Sequence, residues 1–361
     1  MDAQLLDLYT DYVISSFGAI TATSLSAATD GTISHDSISR MLRTPEPAGM
    51  CLSLYRQSKK LLKEIESDEG VLIVEDTIIQ KPHTDSNAIV CSYWDHSQQR
   101  YVKGINLLSI LYQNAEVSLP LQAQIISKEE VYTDTKTGRQ KRRSSITKNE
   151  YMRTMLKQLS KLRLRYSTIV ADTWFASEEN MCFIAEQLRK RFVMPIKANR
   201  TVALSLRDRN KGNYCNVSTL DIVENTPLRL YIKGVNFPVV LLKQVFTDGD
   251  TVGVLYLVSN DTKLRAQAMH RLYHRRWKIE CYHKSLKQNL GIGRSPTRTP
   301  QTQRNHIFAC LYAFVKLEVL LRKTATNSFA LKQKLYLKAL CTALDELRYL
   351  KELFGIKSVL A

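Results

Sequence analysis

Acidic residues are in short supply in this 361-residue sequence: 34 Asp and Glu face 52 Lys and Arg, giving a formal charge of +18 and a pI near 9.5. A chain so poor in negative charge is suited to a polyanionic partner, with nucleic acid as the first candidate. An anionic membrane surface fits the same sign. The sequence has neither a long apolar run nor a basic amphipathic N-terminal segment, so no membrane partner is expected. The seven cysteines are scattered, odd in number and never spaced C-x-x-C, which argues against a disulfide framework and against a zinc ribbon. Metal-ligand spacing of Cys and His, a Gly-rich phosphate loop and a nucleophile elbow are all missing, so neither a nucleotide cofactor nor a covalent nucleophile is expected. The opening MDAQLLDLYTDY carries acid where a secretory signal carries base, and a cytoplasmic location is expected.

What remains is an ordinary globular composition, 44% hydrophobic and 24% charged, long enough for two or three structural units. Residues 1–65 read as helical. Within them Thr23 to Leu42 has the spacing of helix, Gly-containing turn, helix. The second helix either enters a major groove, with Ser34, His35, Ser37 and Arg40 outward, or simply packs against its neighbours. VLIVEDTIIQK, residues 71–81, is expected as a buried central strand. Alternation places Asp76 on the face of Leu72, Val74 and Ile78 and Glu75 on the other, so only one of these acids meets a given site. Asp76 is the candidate, because a carboxylate amid apolar neighbours costs several kcal/mol unless it is paired, protonated or bound to a cation.

Extended segments are expected over 87–93 and 103–126, the latter broken near Gln113. From Lys136 to Arg165 eleven Lys and Arg are opposed only by Glu150. The first part, TKTGRQKRRSS, is expected as a loop that brings Arg142 and Arg143 to phosphates, and the second as a basic helix beginning near Thr147. A strand over 166–170 follows, with Asp172 just past its end, then a helix over 177–190 and a strand over 191–197. This is a parallel α/β arrangement, and sites gather at the carboxyl ends of such strands. Asp172 is either a site acid or a helix cap. Residues 198–260 read as a small inserted sheet, and 301–323 and 329–353 as two amphipathic helices. The expected regions are thus 1–65, 66–197, 198–260, 261–325 and 326–361.

The stretch LYHRRWKIECYHKSLKQNL, Leu272 to Leu290, is expected to form one helix, stopped by Gly291 and Gly293. Tyr273, Arg276, Glu280, Lys284 and Lys287 then fall within about a quarter of its circumference, beside an apolar stripe of Leu272, Ile279, Leu286 and Leu290. Arg276, Glu280 and Lys284, four apart, also suit ordinary surface ion pairing.

Tyr273, Arg276, Glu280 and Lys287 match the Y-(2)-R-(3)-E-(6)-K signature of the insertion-sequence-4 superfamily in all residues and gaps, and VEDT and ADTWFAS resemble its first and second acid motifs. Over roughly residues 70 to 325 the chain resembles the DDE transposases of bacterial insertion sequences. The resemblance implies an α/β, RNase H-like catalytic core with a β-strand insertion, flanked by N-terminal and C-terminal helical regions. It also implies Asp76, Asp172 and Glu280 as catalytic, metal-binding acids holding two Mg²⁺ (or Mn²⁺) ions per active site. Tyr273, Arg276 and Lys287 are implied as phosphate contacts, and Lys284, Arg40, Ser37, Arg142, Arg143 and Trp174 join them as expected DNA contacts. The partner is double-stranded DNA, both element terminal inverted repeats and target DNA, bound by a homodimer at the nucleoid of a bacterium or archaeon. The implied reaction is cleavage at element ends and strand transfer, cut-and-paste with a hairpin intermediate. One departure stands out: Trp94, Trp174 and Trp277 all lie outside the β insertion, where some relatives carry a base-stacking Trp. Tyr214, Tyr231 and Phe237 are its candidate replacements.

Overall fold

A computed structural model describes residues 3–45, 50–95, 98–115, 117–135, 137–249, 251–324 and 326–355, which leaves Lys136 of the basic stretch outside the described residues. Four helices open the chain: α1 (Ala3–Ser15), α2 (Ala22–Ala28), α3 (His35–Arg43) and α4 (Met50–Ile65). Strands β1 (Val71–Gln80), β2 (Cys91–Asp95), β3 (Arg100–Asn114) and β4 (Val117–Ile125) follow, then β5 (Glu130–Thr133), β6 (Gln140–Arg143) and helix α5 (Lys148–Ser160). Beyond these come β7 (Thr168–Ala171), α6 (Glu178–Cys182), β8 (Arg191–Ile196), β9 (Thr201–Ala203), α7 (Leu206–Lys211), β10 (Cys215–Asn216), β11 (Leu228–Ile232), β12 (Val239–Asp248) and β13 (Thr251–Ser259). The chain closes with α8 (Ala266–His274), α9 (Trp277–Gln288), α10 (Pro300–Thr324) and α11 (Ser328–Leu353). Two compact units result, Pro47–His283 and the combination of Met1–Glu46 with Lys284–Ala361; the division falls inside α9.

The larger unit is built on β1. Its first four residues, Val71 to Val74, are fully buried, because the strand has neighbours on both edges and cover on both faces. β3 pairs with it antiparallel and β7 parallel, β4 extends β3 antiparallel, and β8 extends β7 parallel. Three antiparallel strands followed by two parallel ones, in the order β4-β3-β1-β7-β8, make an RNase H-like core. Helix α5 supplies cover by burying Met152, Met155, Leu156 and Leu159, and a capping box of Thr147 and Glu150 fixes its start.

Two local expectations are corrected here. The insertion is not a separate sheet: β13 pairs with β8, Val258 opposite Met194, so β12, β11, β9 and β10 prolong the central sheet. The apolar runs of β12 and β13 supplied the strand signal, but the pairing partner is a long-range choice that local pattern does not encode. Nor is the basic TKTGRQKRRSS stretch a plain loop. Its second half is β6, which pairs with β5 so that Arg143 lies opposite Glu130 and Arg142 opposite Val131.

The second unit is helical. Helix α1 buries Leu6, Tyr9, Val13 and Ile14, and α3 buries Ile38, Met41 and Leu42; both pack on α10. Specific polar contacts fix this packing. Tyr9 meets Nδ1 of His306 at 2.9 Å, Asn305 donates to the carbonyls of Leu42 at 2.7 Å and Thr44 at 2.9 Å, and Lys316 pairs with both Asp7 and Asp11 at 2.7 Å. The apolar face of α3 is therefore spent on α10, and Arg40 stands exposed on the other side. No helix among the described residues is long and apolar enough to cross a membrane.

Candidate active site

The stretch expected as one helix from Leu272 to Leu290 is broken. Helix α8 ends at His274 and α9 begins at Trp277, with i to i−3 hydrogen bonds from Arg276 to Tyr273 and from Ile279 to Arg276 replacing regular α pairing. The physical reason lies in two adjacent arginines pulled in different directions. Arg275 donates to the carbonyls of Glu69 at 2.8 Å and Gln113 at 2.6 Å and to the Gln113 side chain. Arg276 instead reaches into a group of carboxylates. Arg275 satisfies acceptors on β3 and in the turn before β1 while Arg276 reaches Glu75 on β1, and a straight helix cannot serve both. The break puts Glu280 in the first turn of α9, the end of a helix that favours a negative side chain.

Register decides which acids meet Glu280. β1 and β7 run parallel with Val74 beside Ala171, so the next level pairs Glu75 with Asp172, whose backbone is still extended (φ −76°, ψ 168°). Side chains at one level of parallel strands share a face, and Asp76, one residue on, points to the other. Accordingly, Oε2 of Glu75 accepts from Nη1 of Arg276 at 2.7 Å, and the same nitrogen lies 3.2 Å from Oε1 of Glu280. Asp76 is engaged elsewhere: its Oδ2 accepts from Asn106 at 2.6 Å and from Lys148, in the first turn of α5, at 2.7 Å. Asp172 precedes a short 3₁₀ turn, but its side chain makes no capping hydrogen bond; the cap of the following helix is Ser177.

The electrostatics follow from two carboxylates, Glu75 and Glu280, sharing one guanidinium with the charge of Asp172 close by. Burial pushes Glu75 up to about 8, and the negative charges of Glu280 and Asp172 add to the rise, outweighing the opposing pull of Arg276. Burial would lower Arg276, but Glu75, Tyr273, Glu280 and Asp172 together hold it above its ordinary value. Burial also raises Tyr273, whose ring lies 5.8 Å from the Arg276 guanidinium. The cluster is short of positive charge, and its donors are all carboxylate oxygens, the chemistry that Mg²⁺ and Mn²⁺ take. No three acidic, His or Cys side chains among the described residues already close into an ion cage; Arg276 bridges two of the acids.

A family profile described as transposase DDE domain matches residues 66–315. The chain belongs to the DDE transposase family. The matched span contains β1, β7 and α9, and hence every member of the carboxylate cluster. Transposases of this family use divalent metal ions and act on DNA. No curated protein matches the chain.

The remaining candidates of this transposase are dispersed. Trp174 is 60% exposed, two residues beyond Asp172, with the Lys148 ammonium 5.4 Å from its ring. Lys284 lies 5.3 Å from the Phe329 ring, and Lys287 is in the last turn of α9. Ser37 is half-buried and its backbone N–H is capped by Ser34, while Arg40 is exposed. On the hairpin, Arg143 pairs with Glu130 at 2.7 Å and Arg142 reaches the Lys128 carbonyl at 3.5 Å. Glu75, set aside in the sequence for Asp76, lies with Arg276, and Lys148, expected only within a basic helix, pairs with Asp76; Lys197 and Arg200, which the sequence did not single out, line with Trp174 a cavity of about 420 Å³ beside Thr173. The one signal for Glu75 was its adjacency to Asp76, and alternation alone does not say which of two neighbours faces a partner strand's acid.

A pH dependence follows from Glu75. Its folded-state value, about 8, lies above its ordinary 4.5, so the protonated form is favoured on folding. Its contribution to stability is fully present below about pH 4.5 and is lost as pH rises through about 8. In EDTA the melting temperature should carry a downward component over that window that Glu75→Gln removes, as thermal melts of both proteins at pH 5.5, 7 and 8.5 would record.

Proposed function

We propose that this transposase cleaves DNA at the ends of its own element and joins the freed 3′-OH to target DNA, by cut-and-paste through a hairpin intermediate. The observation that carries the reading is that carboxylates of β1 and α9, Glu75 and Glu280, meet on the Arg276 guanidinium with Asp172, just past the carboxyl end of β7, close enough to act on both Glu75 and Arg276. Two Mg²⁺ or Mn²⁺ ions held there would supply Lewis acidity to the scissile phosphate and its leaving oxygen. The chain's own residues do the rest. Glu280 and Asp172 hold negative charge where the cations are needed, Tyr273 and Arg276 supply a hydrogen-bond donor and a fork for phosphate oxygens, and Lys287 adds positive charge in the last turn of α9. The cavity beside Thr173 is of nucleotide size, and Trp174 offers a ring on which an unpaired base would stack, with Lys197 and Arg200 near its phosphate. The basic hairpin extends the DNA contact of the larger unit, exposed Arg40 offers the helical unit a contact of its own, and two element ends call for a homodimer.

The test is a plasmid assay. Protein, Mg²⁺ and a fragment carrying the element's terminal inverted repeats should yield excised element, hairpin-ended intermediates on a denaturing gel, and integrated products. Cleavage without joining would instead identify a nuclease, and DNA binding without either would identify a binding-only remnant. Trp174→Ala should cut hairpin yield by about tenfold, the worth of one base–aromatic stack, with first-strand nicking little changed.

A further inference from the structure

We infer that α11 is a self-association surface: two copies of this chain pair antiparallel through a leucine stripe on that helix, related by a two-fold axis at the level of Thr342. This pairing gives the homodimer of the reading above its surface, and rests on that reading only in the expectation of two copies.

Helix α11 is held to its own unit by its first third. Lys332 donates to the carbonyl of Ile14 at 2.7 Å and lies 4.3 Å from the Phe17 ring, Tyr336 meets the same ring edge-on at 5.3 Å, and Leu331 and Leu335 are half-buried. From Leu337 to Leu353 every residue is exposed. Yet this stretch is not built for water. Leu337, Leu340, Leu344 and Leu347 are between 39% and 51% exposed, and their spacing of three, four and three residues is that of a helix–helix seam. At about 100° per residue the four fall within about a quarter of the circumference, on the side opposite Leu331 and Leu335. The stripe therefore points away from the face that packing within the unit uses. Exposed leucines scattered singly are common, but a contiguous row of them marks an association surface. A solvated helix of this length also owes little of its stability to propensity and gains most from burying such a face.

The residues in and around the stripe make a second copy the occupant and antiparallel the direction. Under a two-fold axis at Thr342, Leu337 meets Leu347 of the second copy and Leu340 meets Leu344, so each apolar layer closes on an apolar layer and one patch serves both chains. The next positions of the seam are Gln333 and Lys351, and the same axis sets one against the other, a polar layer that ends the dry seam on both sides. Parallel pairing would instead put Lys351 against its own copy, two like charges in the seam. Charge along the helix selects the same direction. The first half, Ser328 to Leu340, carries Lys332, Lys334 and Lys338 and no acid, whereas Asp345, Glu346 and Glu352 all lie in the second half, with Arg348 and Lys351. Antiparallel pairing lays the basic half along the half that bears the acids; parallel pairing lays base on base.

Sedimentation equilibrium of the full-length protein without DNA should find a dimer at micromolar concentration, and the double variant Leu340→Glu/Leu344→Glu should weaken association by at least about a hundredfold. Circular dichroism spectra and melts establish that the rest of the fold persists; should the double variant fail to fold, Leu344→Ala alone makes the comparison, with an expected loss of about tenfold. Direction is read from disulfide formation in a mixture of Gln333→Cys and Lys351→Cys proteins. Antiparallel pairing yields the mixed cross-link between positions 333 and 351, identified by mass spectrometry, in preference to either self cross-link. A free protein that stays monomeric, a dimer indifferent to the leucine substitutions, or self cross-links in place of the mixed one would each overturn the inference. The failures read differently: a dimer that survives the leucine substitutions keeps the homodimer and removes only α11 from its interface, whereas protein that is monomeric both free and on a terminal-repeat fragment removes the homodimer as well.

Discussion

Asp172→Asn should lower Mg²⁺-dependent cleavage of an element end by more than about a thousandfold, and Glu280→Gln should do the same. Both substitutions keep shape and remove charge. Asp172 lies at the end of β7 with no capping bond to lose, so the fold has little reason to respond. Glu280 is 38% exposed and shares Arg276 with the better-buried Glu75, so the loss of its ion pair is also tolerable to the fold. Binding of the end DNA depends instead on the basic surface and should change by no more than a small factor. Because the acids act as one unit, the double variant should be hardly worse than either single one. Single-turnover cleavage of a pre-bound, end-labelled fragment, run beside a gel-shift titration, makes the measurement. Either variant retaining more than a few per cent of the wild-type rate would remove that residue from the catalytic set.

How much of this was visible in the sequence differs from element to element. The strand VLIVEDTIIQ was legible because a buried central strand is a short, continuous apolar run, and the helices at both ends followed from ordinary periodicity. The placement of Asp172 just past a strand and of Glu280 on a cation-lined helix was legible in the sequence. Three things were hidden for one reason, that each depends on a partner distant in sequence. Which partners Glu75 and Asp76 meet depends on registration with Thr168 to Ala171, and β1 has both faces covered, so no polar–apolar alternation reports it. The break between α8 and α9 depends on carbonyls at Glu69 and Gln113 that capture Arg275; neither Pro nor Gly marks it. The joining of the insertion to the main sheet depends on the β13–β8 pairing. Local propensity names an element, and tertiary partners choose its face, its straightness and its neighbours.

Arg276 offers the second large effect, one in which stability and chemistry separate. In metal-free protein its guanidinium is the counter-charge of Glu75 and Glu280, and it is 20% exposed, so Arg276→Ala leaves carboxylates facing one another with little solvent to relieve them. Breaking a buried pair by removing one partner costs about 3–5 kcal/mol, and access of water to this site reduces that to roughly 1–3 kcal/mol. Glu75 can escape part of the cost by taking up a proton, the more readily because its value already lies at about 8. The variant's loss of melting temperature in EDTA should therefore be small at pH 6 and several degrees at pH 9, where protonation no longer compensates. Divalent ions replace the missing charge, and since they bind only the folded site, millimolar Mg²⁺ should recover most of the loss at pH 9. Cleavage should not recover with it: with Mg²⁺ present and the fold restored, the variant still lacks the fork proposed above to hold a phosphate, and its rate should remain at least about tenfold below wild type. Arg276→Lys, which restores a charge without the fork, should rescue stability in EDTA more than it rescues rate. Melts at the two pH values with and without Mg²⁺, set beside cleavage rates, test both halves. An Arg276→Ala protein as stable as wild type in EDTA at pH 9 would mean that the carboxylates are not held together by this residue.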